Sequence, residues 1–407
     1  MKKILIILCA PFSLFCQETR YNHQFELNSN FLFESNNLDK SFFNTFLYGG
    51  YITDEMKTEW INAGSENNNI YSEISNGINY NYHFKNQSIG FSFTDRNILN
   101  ASFTDDLLRL GFEGNFHHQD KTLDFGETNI RADRFQQYKL NYGYGKIKGG
   151  ISFLAGNHHL SYIIENGSLY TAPLGESLDI AYDMSAFVTD TSTLSLFANN
   201  GNGLALDISA DFSIKDNTLH LSIKDLGFIM WNTSSITLAT DSSFNFQGVE
   251  VEDIFIFNDS VLEENNIIDN VSKTNNSSFK SYIPATIHAS VTRNIKNDYF
   301  SAYTAGVIAK WQPYQDNMSL SLAKIEQGFQ QSNYAPLFYL KLVKNTKYVE
   351  VLPNLSYGGY TKNTNIGLAI ARGKRNRLIL GTQHLEDILK NDEANELSLY
   401  LQMRIQF

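Results

Sequence analysis

Two pairs of adjacent histidines, His117-His118 and His158-His159, are the first residues here that could hold a metal ion. Neighbouring side chains on a strand point to opposite faces, so neither pair can clamp one ion there. No metal site and no cofactor are expected. His159 also stands two residues before Ser161, on the same strand face, a faint hydrolase-like spacing. A nucleophile needs a base and a group that orients that base, and no motif supplies them, so no catalytic residue and no enzymatic activity are expected. The run ARGKRNR packs Arg372, Lys374, Arg375 and Arg377 into one turn. Contact with anionic lipid or a partner would suit it, but a solvated hairpin turn accounts for it more simply. The formal net charge of −11 argues against nucleic acid as a partner.

The stretch LHLSIKDLGFIMWN, residues 219 to 232, sets Asp225, Gly227 and Trp231 close together. Asp225 and Trp231 could shape a site inside a lumen. Alternatively, Gly227 serves a bend or bulge and Trp231 sits at a membrane interface.

The elements that would position these residues alternate with period two. The chain ends in ELSLYLQMRIQF, with Leu397, Leu399, Leu401, Met403, Ile405 and Phe407 on one face. The same pattern recurs at Leu204 to Ile214, Leu219 to Ile223, Ile287 to Val291, Met318 to Leu322, Ile366 to Ile370 and Leu378 to Leu380. Segments of about ten alternating residues separated by turns are the signature of a transmembrane β-barrel, apolar toward lipid and polar toward the lumen. Eleven residues at about 3.3 Å span roughly 36 Å, or roughly 28 Å at a tilt near 40°, enough to cross the apolar band. The expected fold is all-β, a transmembrane antiparallel barrel of about fourteen strands, with twelve to sixteen compatible. After residue 280, strands are expected near 283–294, 299–311, 316–324, 335–343, 347–357, 364–372, 377–385 and 396–407. Earlier ones fall near 203–214 and 218–224, with about four more between 106 and 156. Residues 17–100 are either early strands or an N-terminal lumen plug. Residues 232–280, acidic and Asn-rich, read as a long excursion with a short helix.

The start, MKKILIILCAPFSLFCQETR, has basic Lys2 and Lys3 followed by an apolar run from Ile4 to Phe15, too short to span a bilayer. It predicts a signal peptide over 1–16, cleaved before Gln17, with the barrel over 17–407. Phe15 and Leu8 are wrong for a lipoprotein signal. Cleavage would remove Cys9 and Cys16, the only cysteines, and take the net charge from −11 to −13. Stability would then owe nothing to disulfides.

Signal, alternation and terminal Phe together resemble an outer-membrane protein. Phe407, with Ile405 and Met403 before it, resembles the C-terminal assembly signal read by the barrel assembly machinery. Asp225-Leu226-Gly227-Phe228 and Trp231 resemble a segment of uncharacterised Bacteroidota outer-membrane barrels related to the FadL-type transporter class, and FNFQGVEVEDIF and SYIPATIHASV look similar to the stretches that follow it there. The resemblance covers most of residues 100 to 407. It implies about fourteen strands, an N-terminal plug, no catalytic residues, and residence in the cell outer membrane among lipid and lipopolysaccharide. It also implies either a channel for small or hydrophobic solutes or, as the alternative, a non-channel subunit of a secretion or assembly complex.

Overall fold

The computed structural model describes residues 22–190, 195, 197–246, 274–295, 297, 299–313, 316, 322–389 and 394–407. The expected signal peptide, and residues 247–273 of the excursion with a short helix expected over 232–280, lie outside the described residues.

The first strands are β1 (His23–Ser35), β2 (Asn68–Phe84), β3 (Gln87–Phe103), β4 (Lys121–Asp124), β5 (Thr128–Tyr144) and β6 (Ile147–Thr171). Next come β7 (Leu178–Val188), β8 (Gly201–Ile214), β9 (Asn217–Trp231), β10 (Ile236–Phe246), β11 (Thr274–Asn276) and β12 (Lys280–Tyr282). The chain closes with β13 (Ala285–Asn294), β14 (Ala302–Trp311), β15 (Ala335–Asn345), β16 (Glu350–Gly359), β17 (Asn363–Arg372), β18 (Arg377–Thr382) and β19 (Glu396–Gln406). Fourteen of these, all except β4, β7, β10, β11 and β12, form a closed antiparallel barrel in which β19 pairs with β1 from Gln24↔Gln406 to Glu34↔Glu396. Closure leaves the wall no open edge, the condition a sheet must meet in lipid.

Period-two patterning sets the two faces. On β19, Leu399 and Met403 are exposed outward, while Gln402 and Arg404 turn inward toward Glu26 of β1. The outward row continues through residues such as Phe91, Leu140, Ile151, Leu206 and Ile366, each about half exposed. One end of the barrel carries both described ends of the wall and short turns at 85–86, 145–146, 215–216 and 373–376. The other end carries the long connections. There β6 forks at a bulge. Its first half, to Gly156, pairs with β8, and its second half pairs with β7, which continues to β10 as a sheet projecting from the rim.

Of the alternatives for residues 17–100, the described residues form β1, β2 and β3, with helices α1 (Lys40–Tyr48) and α2 (Asp54–Ala63) between the first two. Asp39 and Thr53 cap these helices. With α3 (Asp105–Glu113) the helices cover outward Phe33, Ile70 and Phe103 near the far rim. The described residues of the strand expected at 316–324 are not in the wall. That strand's first residues fall largely outside the described set, and α4 (Leu322–Gln331) occupies the rest. From Leu322 the apolar spacing passes through Ile325 and Phe329, a helical period that overrides the short alternating run before it. The wall therefore has seven strands after residue 280, not eight.

Candidate functional site in the lumen

Asp225 is the pivot of the lumen. It sits at a bulge in β9, where register shifts between Leu206 and Ile208 of the facing β8. Its φ of 59° is left-handed, a conformation that Asp tolerates better than most side chains. Its backbone N–H donates to Asp207 (2.8 Å). Its carboxylate accepts from Arg96 of β3 (3.1 Å), and from Gln137 (2.8 Å) and Lys139 (3.2 Å) of β5. Arg96 also reaches Glu73 of β2 (2.8 Å), and Lys139 reaches Asp207. Glu73 accepts from Tyr71 Oη (2.6 Å), which in turn accepts from Lys310 of β14 (3.2 Å). Three cations thus meet three carboxylates in one chain of contacts across the lumen.

Lys310 shows how completely the lumen is crossed. Counted around the barrel, β14 is seven strands from β2, the far side of a fourteen-strand wall. Yet its ammonium lies 4.4, 5.1 and 4.9 Å from the ring centres of Tyr71, Tyr334 and Tyr360, a cation–π cage. Tyr71 and Tyr360 stack at 3.8 Å. Above this layer Ile98, Phe135, Leu154, Ile229, Trp231, Phe279 and Ile283 form a buried core inside the barrel.

The connection from β14 to β15 supplies a further closure. Arg131, 1% exposed, donates to the carbonyls of Pro313 (3.1 Å) and Tyr282 (2.6 Å). His159 lies between Asp133 (2.7 Å) and Asp316 (3.0 Å), and Asn100 of β3 donates to the carbonyl of Ser332 (3.4 Å). This connection thus folds against inward-facing groups of β3, β5 and β6, as do Phe279, Tyr282 and Ile283 between β11 and β13.

On the terminus side of the Asp225 layer the lumen opens into a cavity of about 380 Å³, lined by Gln24, Asn79, Asn81, Ser88, Lys148 and Lys224, with Lys139 and Asp207 at its floor. At the far rim, Glu34 and Glu396 face each other across the β1–β19 seam, bridged by His384 at 3.2 and 2.5 Å. Burial alone would lower the pKa of His384; the two glutamates outweigh it and raise the value to about 9.

The residues singled out by sequence fall as follows. Asp225 lines the lumen. The bulge belongs to Asp225 and not to Gly227, whose place is a close approach: a Cβ there would lie 2.4 Å from both Ala205 Cβ and Leu204 O. Trp231 is not at a membrane interface. It is 1% exposed inside the barrel, donates to Ser281 Oγ (2.8 Å), and lies against Gly156, where a Cβ would meet its ring at 2.5 Å. His158 and His159 straddle the wall, inward only at His159, and both nitrogens of His159 are engaged by carboxylates, leaving none as a base for Ser161. In the basic turn, Arg377 points inward to Glu350 (2.6 Å) and Arg375 donates to the Gln406 carbonyl (2.6 Å). Phe407 still belongs to the wall: its N–H and carbonyl both bond His23 (3.0 Å each), and its ring stacks on that imidazole at 5.2 Å. Sequence reading missed Arg96, Lys139 and Lys310. Charged residues inside alternating strands were the available signal.

A closed wall, apolar outside and charged within, defines a transmembrane β-barrel of the outer-membrane type. The chain belongs to a family of unknown function (DUF5723), whose profile matches residues 17–375. No match was found among curated proteins. Solved structures similar to it include the TodX deltaS2S3 mutant monoaromatic hydrocarbon channel, at 8% identity over 96% of this chain and 91% of that one, TM-score 0.45. The toluene transporter TbuX of Ralstonia pickettii shows 8% identity over 96% and 90%, TM-score 0.41. The translocator domain of the autotransporter NalP from Neisseria meningitidis shows 7% identity over 96% and 90%, TM-score 0.32. At this level of identity, nothing said of those proteins transfers to this one.

Proposed function

We infer that the protein resides in an outer membrane and is a gated passage for small solutes, held here in its closed state. The observation that carries this is the charged layer of Glu73, Arg96, Lys139, Asp207 and Asp225 between a polar, open cavity and a packed barrier. Buried ion pairs are a poor way to fill space, because their desolvation offsets most of their attraction, and apolar residues of similar volume often stabilise more. Such a layer suits a gate that must exist both dry and hydrated. The polar lining favours hydrophilic over hydrophobic solutes.

Planar-bilayer recording tests the reading. Wild type should conduct rarely, and Asp225→Asn or Lys310→Met should raise the open probability at least tenfold. A correctly inserted barrel that stays silent in wild type and both variants would overturn it. The second reading, a non-channel subunit of a membrane complex, is favoured by one observation: side chains of opposite strands already touch across the lumen. Stable co-purifying partners together with silent variants would support it.

A further inference from the structure

The cavity on the terminus side has a charge character that the whole chain does not. By strand register, the inward residues on that half of the lumen include five cations: Lys148, Lys224, Lys341, Arg377 and Arg404. The inward carboxylates at the same level are Glu26, Glu350 and Asp211, while Lys139 and Asp207 neutralise each other. This positive excess occurs in a chain of net charge −11. One feature shows that it is not simply self-compensated. Among the described residues, Lys148 and Lys224, which both line the cavity, have no carboxylate within ion-pair distance, whereas Lys139 beside them has two. Arg377 and Arg404, directly opposite each other on β18 and β19, are by contrast each beside a carboxylate, Glu350 for Arg377 (2.6 Å) and Glu26 for Arg404, so the uncompensated charge is that of the two lysines. Around the lysines, Gln24, Asn79, Asn81, Asn141, Ser88 and Ser209 add amide and hydroxyl groups, with Tyr142 and Ile208 also on the lining.

We propose that this cavity is a binding site for small hydrophilic anions bearing a carboxylate or phosphate group, with Lys148 and Lys224 as the paired cationic contacts and the surrounding amides as hydrogen-bond donors. The site is open enough for charged groups to stay hydrated, so affinity should be modest and should fall with salt. Where the anion is also the solute that passes, the assignment rests on the passage reading above. Binding itself does not.

The test uses the full-length barrel in detergent, checked for native gel mobility. Calorimetric titration with inorganic phosphate and with citrate should show saturable binding, and titration with choline chloride none. Lys148→Gln with Lys224→Gln should weaken anion binding at least tenfold, and Lys148→Arg with Lys224→Arg should retain it, which separates loss of charge from loss of fold. In bilayers under a KCl gradient, the Asp225→Asn barrel should show an anion-selective reversal potential, shifted toward cations when Lys148→Glu and Lys224→Glu are added. Absence of anion binding, or binding unchanged in the double Gln variant, overturns the proposal. Binding that behaves as expected while no variant conducts sustains the site and overturns the passage reading.

Discussion

Replacing Asp225 by Asn isolates one charge. Asn keeps the side-chain shape, tolerates the left-handed φ of 59° and can still accept one hydrogen bond. What is lost is a carboxylate that two cations share, Arg96 at 3.1 Å and Lys139 at 3.2 Å. Removing one partner from a buried ion pair costs about 3–5 kcal/mol when the other is left uncompensated. Here each cation keeps a second carboxylate, Glu73 for Arg96 and Asp207 for Lys139, and all five side chains are between 11 and 16% exposed, beside a water-accessible cavity. The expected cost therefore lies below that range, at about 2–3 kcal/mol. Asp225→Ala should cost about 1 kcal/mol more, because Ala does not suit the left-handed region. The assay is urea unfolding in lipid vesicles, followed by heat-modifiable gel mobility. A cycle with Arg96→Met should give a coupling above about 1 kcal/mol, as expected for groups in direct contact. An Asn variant within about 0.5 kcal/mol of wild type, the range of an ordinary surface change, would refute the claim that this layer is an electrostatic unit.

Seam stability should depend on pH through His384. Because its folded-state pKa is raised from 6.5 to about 9, the stabilisation is complete below about pH 6.5 and declines as pH rises through 9; unfolding at pH 6, 8 and 10 should show this, and His384→Gln should flatten it. Leu401→Arg on the lipid face should cost about 2–4 kcal/mol near the midplane, and Arg404→Leu on the lumen face far less, measured by the same unfolding assay; equal costs would mean the faces are misassigned. Deleting Phe407 should lower the amount of inserted protein while leaving the properties of inserted molecules nearly unchanged, with Phe407→Tyr intermediate. Membrane yield equal to wild type would remove any assembly role from Phe407, Ile405 and Met403.

The wall was legible where one face meets lipid and the other water, as in β17 and β19, because period two is then strict. It was not legible where both faces are apolar: along β9, Phe228 and Met230 point out while Ile229 and Trp231 point into the packed lumen, and the alternation disappears. The charged layer was hidden for a different reason. Asp225 stands 129 residues from Arg96 and 86 from Lys139, and only the register of five wall strands, β3, β5, β6, β8 and β9, brings them together. Its bulge has no signature in composition, since the residue that turns left-handed is an Asp and not a Gly. Of the alternating run at 318–322 only Leu322 lies among the described residues, and there the helical spacing of Leu322, Ile325 and Phe329 prevails.

The meeting of β1 and β19 bears on the order of events in folding. Gln24 and Gln406 are partners separated by 382 residues, while every other wall pairing links strands much nearer in sequence. Loop-closure entropy grows only about 0.6 kcal/mol per doubling of length, yet it is incurred here with no help until the intervening wall exists. The same adjacency makes the barrel topologically circular. A short linker from Phe407 to Asn22, with new ends cut at the 85–86 turn, would turn the longest-range pairing into a hairpin and make the β2–β3 pairing the last to form. The wall would be unchanged, and only the direction from which it is zipped would differ.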